Sequence, residues 1–133
     1  MKDELHILLI EDDQDDVDLF RYALSANDVS CQLEIIMEGD LVAPYLRNFN
    51  QLPDIIVMDL NLPRVHGREV LQQIKNDTDF RDIPLVVLTT SSAQEDQKYC
   101  LSMGADSFIT KPTTVKGFNT AIVKIADLAV ANK

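Results

Sequence analysis

Five short apolar runs, each followed by a stretch of helical periodicity, constrain this chain more than any other feature. The runs are His6–Ile10, Gln32–Met37, Ile55–Met58, Pro84–Leu88 and Ser107–Thr110. Ile55–Met58 is apolar at every position, which marks a strand buried on both faces. Glu34 interrupts the second run and places it nearer a sheet edge. Helical patterns fill the intervals at Gln14–Ala26, Asp40–Phe49, Arg68–Asn76, Ala93–Met103 and Val115–Ala131. The first carries Val17, Phe20, Ala23 and Leu24 on one face, with Asp15 and Asp16 in a first turn that favours acids. The third turns Val70, Leu71 and Ile74 inward, and the last Phe118, Ala121, Ile122, Ile125 and Leu128. Pro44 is tolerable only close to its helix start, and Thr89-Thr90-Ser91-Ser92 reads as an N-cap cluster. Strand–helix alternation of this kind requires a parallel sheet covered on both faces, because each right-handed crossover needs a helix.

At 133 residues, with no repeat or linker, the chain reads as one domain with no output domain attached. A net charge of −10 argues against nucleic acid or an anionic membrane as direct partner. No apolar run approaches the length of a membrane span and no signal peptide is evident, so the expected location is cytoplasmic. Cys31 and Cys100 have no metal or redox spacing and read as reduced, buried thiols. His6 and His66 lack a second ligand at metal spacing and read as structural or solvent-facing.

Parallel strands end on one edge of the sheet, the edge where open α/β sheets place ligands. Those ends are Glu11-Asp12-Asp13, Asp59, Thr89-Thr90 and Lys111; the second strand ends at Glu38-Gly39 and adds little. Each has an ordinary explanation alone: a solvated acidic loop, a helix cap, a surface lysine. Together they gather several carboxylates, two hydroxyls and one amine. Two carboxylates about 5 Å apart repel by roughly 3 kcal/mol at an effective dielectric near 20. Such crowding persists where a hard cation binds or a shifted pKa is useful. Carboxylate and carbonyl oxygens suit Mg²⁺, which leaves positions open for phosphoryl oxygens. Lys111 would add a fixed positive charge and Thr89 a hydroxyl donor, and an Asp carboxylate is a known nucleophile for phosphoryl transfer. Asp59 is the expected acceptor. The acid run is no EF-hand, since Asp18 stands where that loop needs glycine and Leu24 where it needs an acid.

In order, Glu11-Asp12, Met58-Asp59-Leu60-Asn61-Leu62-Pro63, Gly67, Leu88-Thr89 and Lys111-Pro112 resemble the landmarks of response regulator receiver domains in two-component systems. The steps of 30 residues from Asp59 to Thr89 and 22 from Thr89 to Lys111 match that family's spacing. The resemblance covers the chain from Ile7 to the last helix, and implies a flavodoxin-like (βα)5 α/β sandwich with sheet order 2-1-3-4-5. It implies that Asp59 takes a phosphoryl group from a phosphohistidine on a sensor histidine kinase or phosphotransfer protein. Glu11, Asp12, Asp59 and the backbone carbonyl of Asn61 would hold Mg²⁺. Lys111 would contact the phosphoryl group, with a cis bond to Pro112. Thr89 would swing toward the phosphoryl oxygens and Phe108 follow as the aromatic switch, altering the face of helix 4, strand 5 and helix 5. Thr90 and Ser91 would flank the phosphoryl pocket and tune hydrolysis, and Asn61 would line the same pocket. The stretches Asn61–Leu71 and Thr89–Ser92 are similar to small receivers paired with bacterial phytochrome kinases. A downstream protein target and a homodimer through the helix 4–strand 5–helix 5 face are further implied, and Val123 and Val130 lie off the core stripe of the last helix. On this reading the chain is a phosphoacceptor switch and not a turnover enzyme.

Three other readings share the pattern. A Mg-dependent phosphatase with an aspartyl-phosphate intermediate would want an acid where Asn61 stands. A flavin carrier would want a Thr/Ser/Gly phosphate loop where Glu11-Asp12-Asp13 stands. A non-phosphorylated receiver-like scaffold would not need the complete residue set.

Overall fold

The computed structural model describes residues 4–48 and 51–132. Strands β1 (Leu5–Ile10), β2 (Cys31–Ile36), β3 (Ile55–Met58), β4 (Leu85–Thr89) and β5 (Ser107–Thr110) alternate with helices α1 (Gln14–Ala26), α2 (Val42–Arg47), α3 (Gly67–Lys75), α4 (Gln94–Ser102) and α5 (Val115–Asn132). Every neighbouring pair is parallel and the order is β2-β1-β3-β4-β5. This is the flavodoxin-like sheet that the resemblance implied, with the Glu34-bearing strand at an edge.

Alternation along the strands divides the core in two. Ile7, Leu9, Ile55, Val57, Val86 and Leu88 face α1 and α5, where they meet Val17, Phe20, Ile122 and Ile125. Leu8, Ile10, Ile56, Met58, Leu85 and Val87 face α2, α3 and α4, where they meet Leu46, Val70, Leu71 and Cys100. The central strand β3 is buried at all four positions because both layers cover it. The α5 stripe departs from expectation at one place: Leu128 is half-buried and Ala129 sits in the core instead. Cys31 is likewise only half-buried, whereas Cys100 is buried, and both are free thiols.

Three local expectations are corrected. The helix expected from Asp40 starts as a 3-10 turn over Gly39–Leu41, and the α-helix itself covers only Val42–Arg47. Gly39 packs so tightly on the loop after β3 that an added Cβ would lie 2.1 Å from the Val65 carbonyl oxygen. Pro44 then falls in the first α-helical turn, where its missing N–H is no loss. The expected end of that helix, Phe49, lies outside the described residues. The Thr/Ser run before α4 does not cap it: the N-cap is Ala93, which offers no side chain, because the run is turned toward other partners. The Lys111–Pro112 bond is trans, since no peptide bond among the described residues is cis. The trans form of an X–Pro bond is intrinsically favoured by about 0.5–1 kcal/mol.

Candidate functional site

Register places the site. Ile10 pairs with Met58, so the next residues, Glu11 and Asp59, emerge side by side from β1 and β3. The Asp59 amide still donates to the Ile10 carbonyl (3.0 Å), and the Lys111 amide to the Thr89 carbonyl (2.7 Å), so the ladder holds the strand ends beyond their last paired residues. Glu11, Asp59 and Lys111 continue the alternation of Leu9, Val57 and Ile109, and so share the α1/α5 side of the sheet. Helix α1 enters directly above them. Asp13 caps it, accepting from the amides of Asp15 and Asp16.

Lys111 is the centre of the cluster. Its Nζ donates to Glu11 Oε1 at 2.6 Å, Asp16 Oδ2 at 2.6 Å and Asp59 Oδ2 at 2.9 Å. The Lys111, Glu11 and Asp59 side chains keep only 10%, 4% and 6% of their exposure, whereas Asp16 keeps 27%. Asp59 Oδ1 also accepts the Asn61 amide at 3.2 Å, and Glu11 Oε2 the Asp13 amide at 3.2 Å. The two buried acids are driven apart in pKa. Burial pushes Glu11 up to about 7, aided by the Asp59 charge, and the Lys111 bond only partly offsets this. Burial also raises Asp59, but hydrogen bonds from Lys111, the Thr89 hydroxyl and the Asn61 amide outweigh it, leaving its carboxyl below the usual range. Burial works against the Lys111 ammonium too, yet its three carboxylates hold its pKa above that of a free lysine. Asp59 is thus held ionised at neutral pH while Glu11 is poised near its midpoint.

Of the expected site residues, Glu11, Asp59, Thr89 and Lys111 are brought together, with Thr89 fully buried. Asp12, Asn61 and Thr90 are exposed at the rim, and Phe108 is half-buried against the α2–α4 side of the core. Asp16 was not among the expected residues. Its signal was available, because Asp16 and Phe20 stand four apart on one helix face and Phe20 is in the core. A residue in the first turn on that face overhangs the strand ends. A cleft of about 400 Å³ between α2 and α3, lined by Val42, Leu46, Val70, Ile74 and Phe80, lies apart from this cluster.

The donor set of Glu11, Asp12, Asp59 and the Asn61 carbonyl is all oxygen, and so fits a hard divalent cation by chemistry. Among the described residues no three His, Cys, Asp or Glu side chains already converge in a metal-holding arrangement. The Lys111 ammonium instead neutralises the two buried acids. No helix among the described residues is long and apolar enough to cross a membrane.

Comparison with known proteins agrees with this geometry. Residues 7–123 match the family model described as the response regulator receiver domain. Response regulator Rcp1 of Synechocystis is 34% identical over 115 residues, covering 83% of this chain and 78% of that protein. The phosphorylated cyanobacterial phytochrome response regulator RcpA superposes with a TM-score of 0.88 at 30% identity, over 98% of this chain and 97% of that one. The Mn(2+)-bound form of Rcp1 superposes with a TM-score of 0.82 at 32% identity, over 91% of each chain. With the fold, the strand-end residues and these likenesses in agreement, the chain belongs to the response regulator receiver domain family.

Proposed function

We propose that this chain is a phosphorylation switch in which Asp59 accepts a phosphoryl group from a phosphohistidine on a sensor histidine kinase or phosphotransfer protein. The observation that carries the reading is the state of Asp59. It is a nearly buried carboxylate at the end of the central strand, held ionised by Lys111 at 2.9 Å. In the transfer, an Asp59 oxygen forms a bond to phosphorus while the P–N bond to the donor imidazole breaks. The electron pair stays on the imidazole nitrogen, which takes up a proton. Lys111 can follow the negative charge from the carboxylate to the phosphoryl oxygens, and Thr89 can offer its hydroxyl to one of them.

Glu11, Asp12, Asp59 and the Asn61 carbonyl are the residues that would hold Mg²⁺. The ion supplies charge neutralisation and orients the phosphoryl group when bound. The likeness to the Mn(2+)-bound form of Rcp1 supports a divalent ion here. Thr90 and Asn61, exposed at the rim, govern access of water to the acyl phosphate. Movement of Thr89 and of half-buried Phe108 is the route by which modification changes the face of α4, β5 and α5, where a downstream protein or a second copy of this chain would dock. The likeness to a phytochrome response regulator supports a kinase of phytochrome type. On this reading the chain is modified once per donor and turns over no external substrate.

The test is intact mass after incubation with acetyl phosphate, with Mg²⁺ and with chelator. The reading expects a gain of one phosphoryl group that needs the metal and is lost in Asp59→Asn. No gain in a folded native chain would refute it.

A further inference from the structure

Thr89 is buried at the floor of the pocket, and its Oγ1 accepts the Ser91 amide through a long bond of 3.4 Å. Ser91 is itself tightly held. Its hydroxyl donates to Asp96 Oδ2 at 2.7 Å and accepts the Ala93 amide at 3.3 Å, and its carbonyl accepts the Thr110 hydroxyl at 3.2 Å. The other Asp96 oxygen, Oδ1, lies 3.8 Å from Arg68 Nη1, and the Arg68 guanidinium stacks 3.9 Å from the centre of the Tyr99 ring. Arg68 belongs to the first turn of α3, and Asp96 and Tyr99 to successive positions on one face of α4.

We propose that Asp96 is a positioning residue for Thr89. Together with Arg68 it clamps Ser91, and through Ser91 it keeps the Thr89 hydroxyl turned toward Asp59. Its kinetic consequence rests on the phosphoacceptor reading; its geometric consequence does not.

The physical case is one of unequal restraints. Thr90, Ser92 and Ala93 are exposed and no side chain caps α4. Past the Thr89 carbonyl, which the Lys111 amide holds, the loop is therefore anchored through Ser91, by Asp96 and by the Thr110 hydroxyl. A short hydroxyl-to-carboxylate bond is much stronger than the long amide contact to Thr89. Where Ser91 is held therefore decides where Thr89 rests. Stacking on Tyr99 fixes the Arg68 guanidinium, which in turn limits the rotamers open to Asp96. The clamp also explains why a Ser/Thr-rich run fails to cap the helix that follows it. Because the Arg68 and Asp96 side chains keep 35% and 27% exposure, the clamp reaches the surface between α3 and α4.

The test has two arms, applied to the native chain, Asp96→Ala, Asp96→Asn and a neighbouring control, Glu95→Ala. The first reads the Thr89 side-chain rotamer from three-bond couplings of its methyl group in metal-free protein. One rotamer is expected in the native chain and Glu95→Ala, and an averaged distribution in Asp96→Ala. Asp96→Asn, which keeps an acceptor oxygen for Ser91, restores the single rotamer. The second arm reads the rate of phosphoryl gain from acetyl phosphate at saturating Mg²⁺. Asp96→Ala should slow it about tenfold, the loss expected for one charge-assisted hydrogen bond, and should add no further loss in a Thr89→Ala background. A single Thr89 rotamer in Asp96→Ala, or equal slowing in both backgrounds, overturns the proposal. If the native chain gains no phosphoryl group, the phosphoacceptor reading fails and the rotamer arm still decides the clamp.

Discussion

Replacing Lys111 with methionine removes the ammonium that three carboxylates share while keeping most of the side-chain volume. The cost follows from the burial of those partners. Glu11 and Asp59 retain only 4% and 6% of their side-chain exposure, so each would be left as a buried acid without its cation. Breaking a buried pair from one side costs about 3–5 kcal/mol. Asp16 is more exposed, at 27%, and adds at most about 1 kcal/mol, as for a surface pair. Lys111→Met should therefore lose about 3–5 kcal/mol in chelator at pH 8, measured by urea unfolding. Part of that loss should vanish near pH 6, where the carboxyl of Glu11, already raised to about 7, can take a proton. Millimolar Mg²⁺ should also recover part of it. A loss below about 1 kcal/mol, equal at both pH values, would refute the claim that Lys111 is the resident counter-ion of a crowded acid site.

Other expectations follow from the same geometry. Glu11 has a folded pKa of about 7 against an ordinary 4.5, so the native state binds the proton more tightly, and this group's contribution to stability falls as pH rises through that window. Thermal unfolding in chelator should accordingly show native stability declining relative to Glu11→Gln between those two values, and a flat difference would contradict the burial argument. Mg²⁺ should raise the melting temperature of the native chain, and Asp12→Ala should remove most of that gain; the same titration checks both. Gly67→Ala should destabilise by about 2 kcal/mol or more, because its Cβ would fall 2.5 Å from Leu60 Cα and 2.6 Å from the Asp59 carbonyl oxygen. It should also weaken Mg²⁺ binding, since the loop that would shift carries Asn61; calorimetry of both properties tests it.

The elements whose burial is all or nothing were legible in the sequence. Ile55–Met58 has the same bounds in sequence and structure, because an apolar run buried at every position and ending at a charge leaves one register for the strand. Ser107–Thr110 also keeps its bounds, although its burial is graded, because Lys111-Pro112 ends it. Helix α1 is also matched at both ends, since Asp13 caps its start and Asn27 closes it. Glu11, Asp59, Thr89 and Lys111 could be gathered from strand order alone, because parallel strands deliver their ends to one edge. Asp16 could not be gathered that way. It comes from a helix, and its reach depends on the phase of α1 over the sheet. The Ser91–Asp96 bond was hidden for a related reason: hydroxyls before a helix can accept its first amides or donate to an acid in its first turn, and here Ser91 donates to Asp96, whose other oxygen faces Arg68 of α3. Where α2 begins was set by the Gly39 contact with Val65, which joins segments 26 residues apart and leaves no local trace.

The central claim, that Asp59 is the phosphoryl acceptor, is tested most directly by locating the modification. The protein would be treated with acetyl phosphate and Mg²⁺, reduced with borohydride to convert an aspartyl phosphate to homoserine, digested and sequenced by mass spectrometry. The account predicts homoserine at position 59, none at Asp12 or Asp16, and no 5-hydroxynorvaline, the corresponding reduction product of a glutamyl phosphate, at Glu11. Conversion at any of those instead, with Asp59 intact, would contradict it.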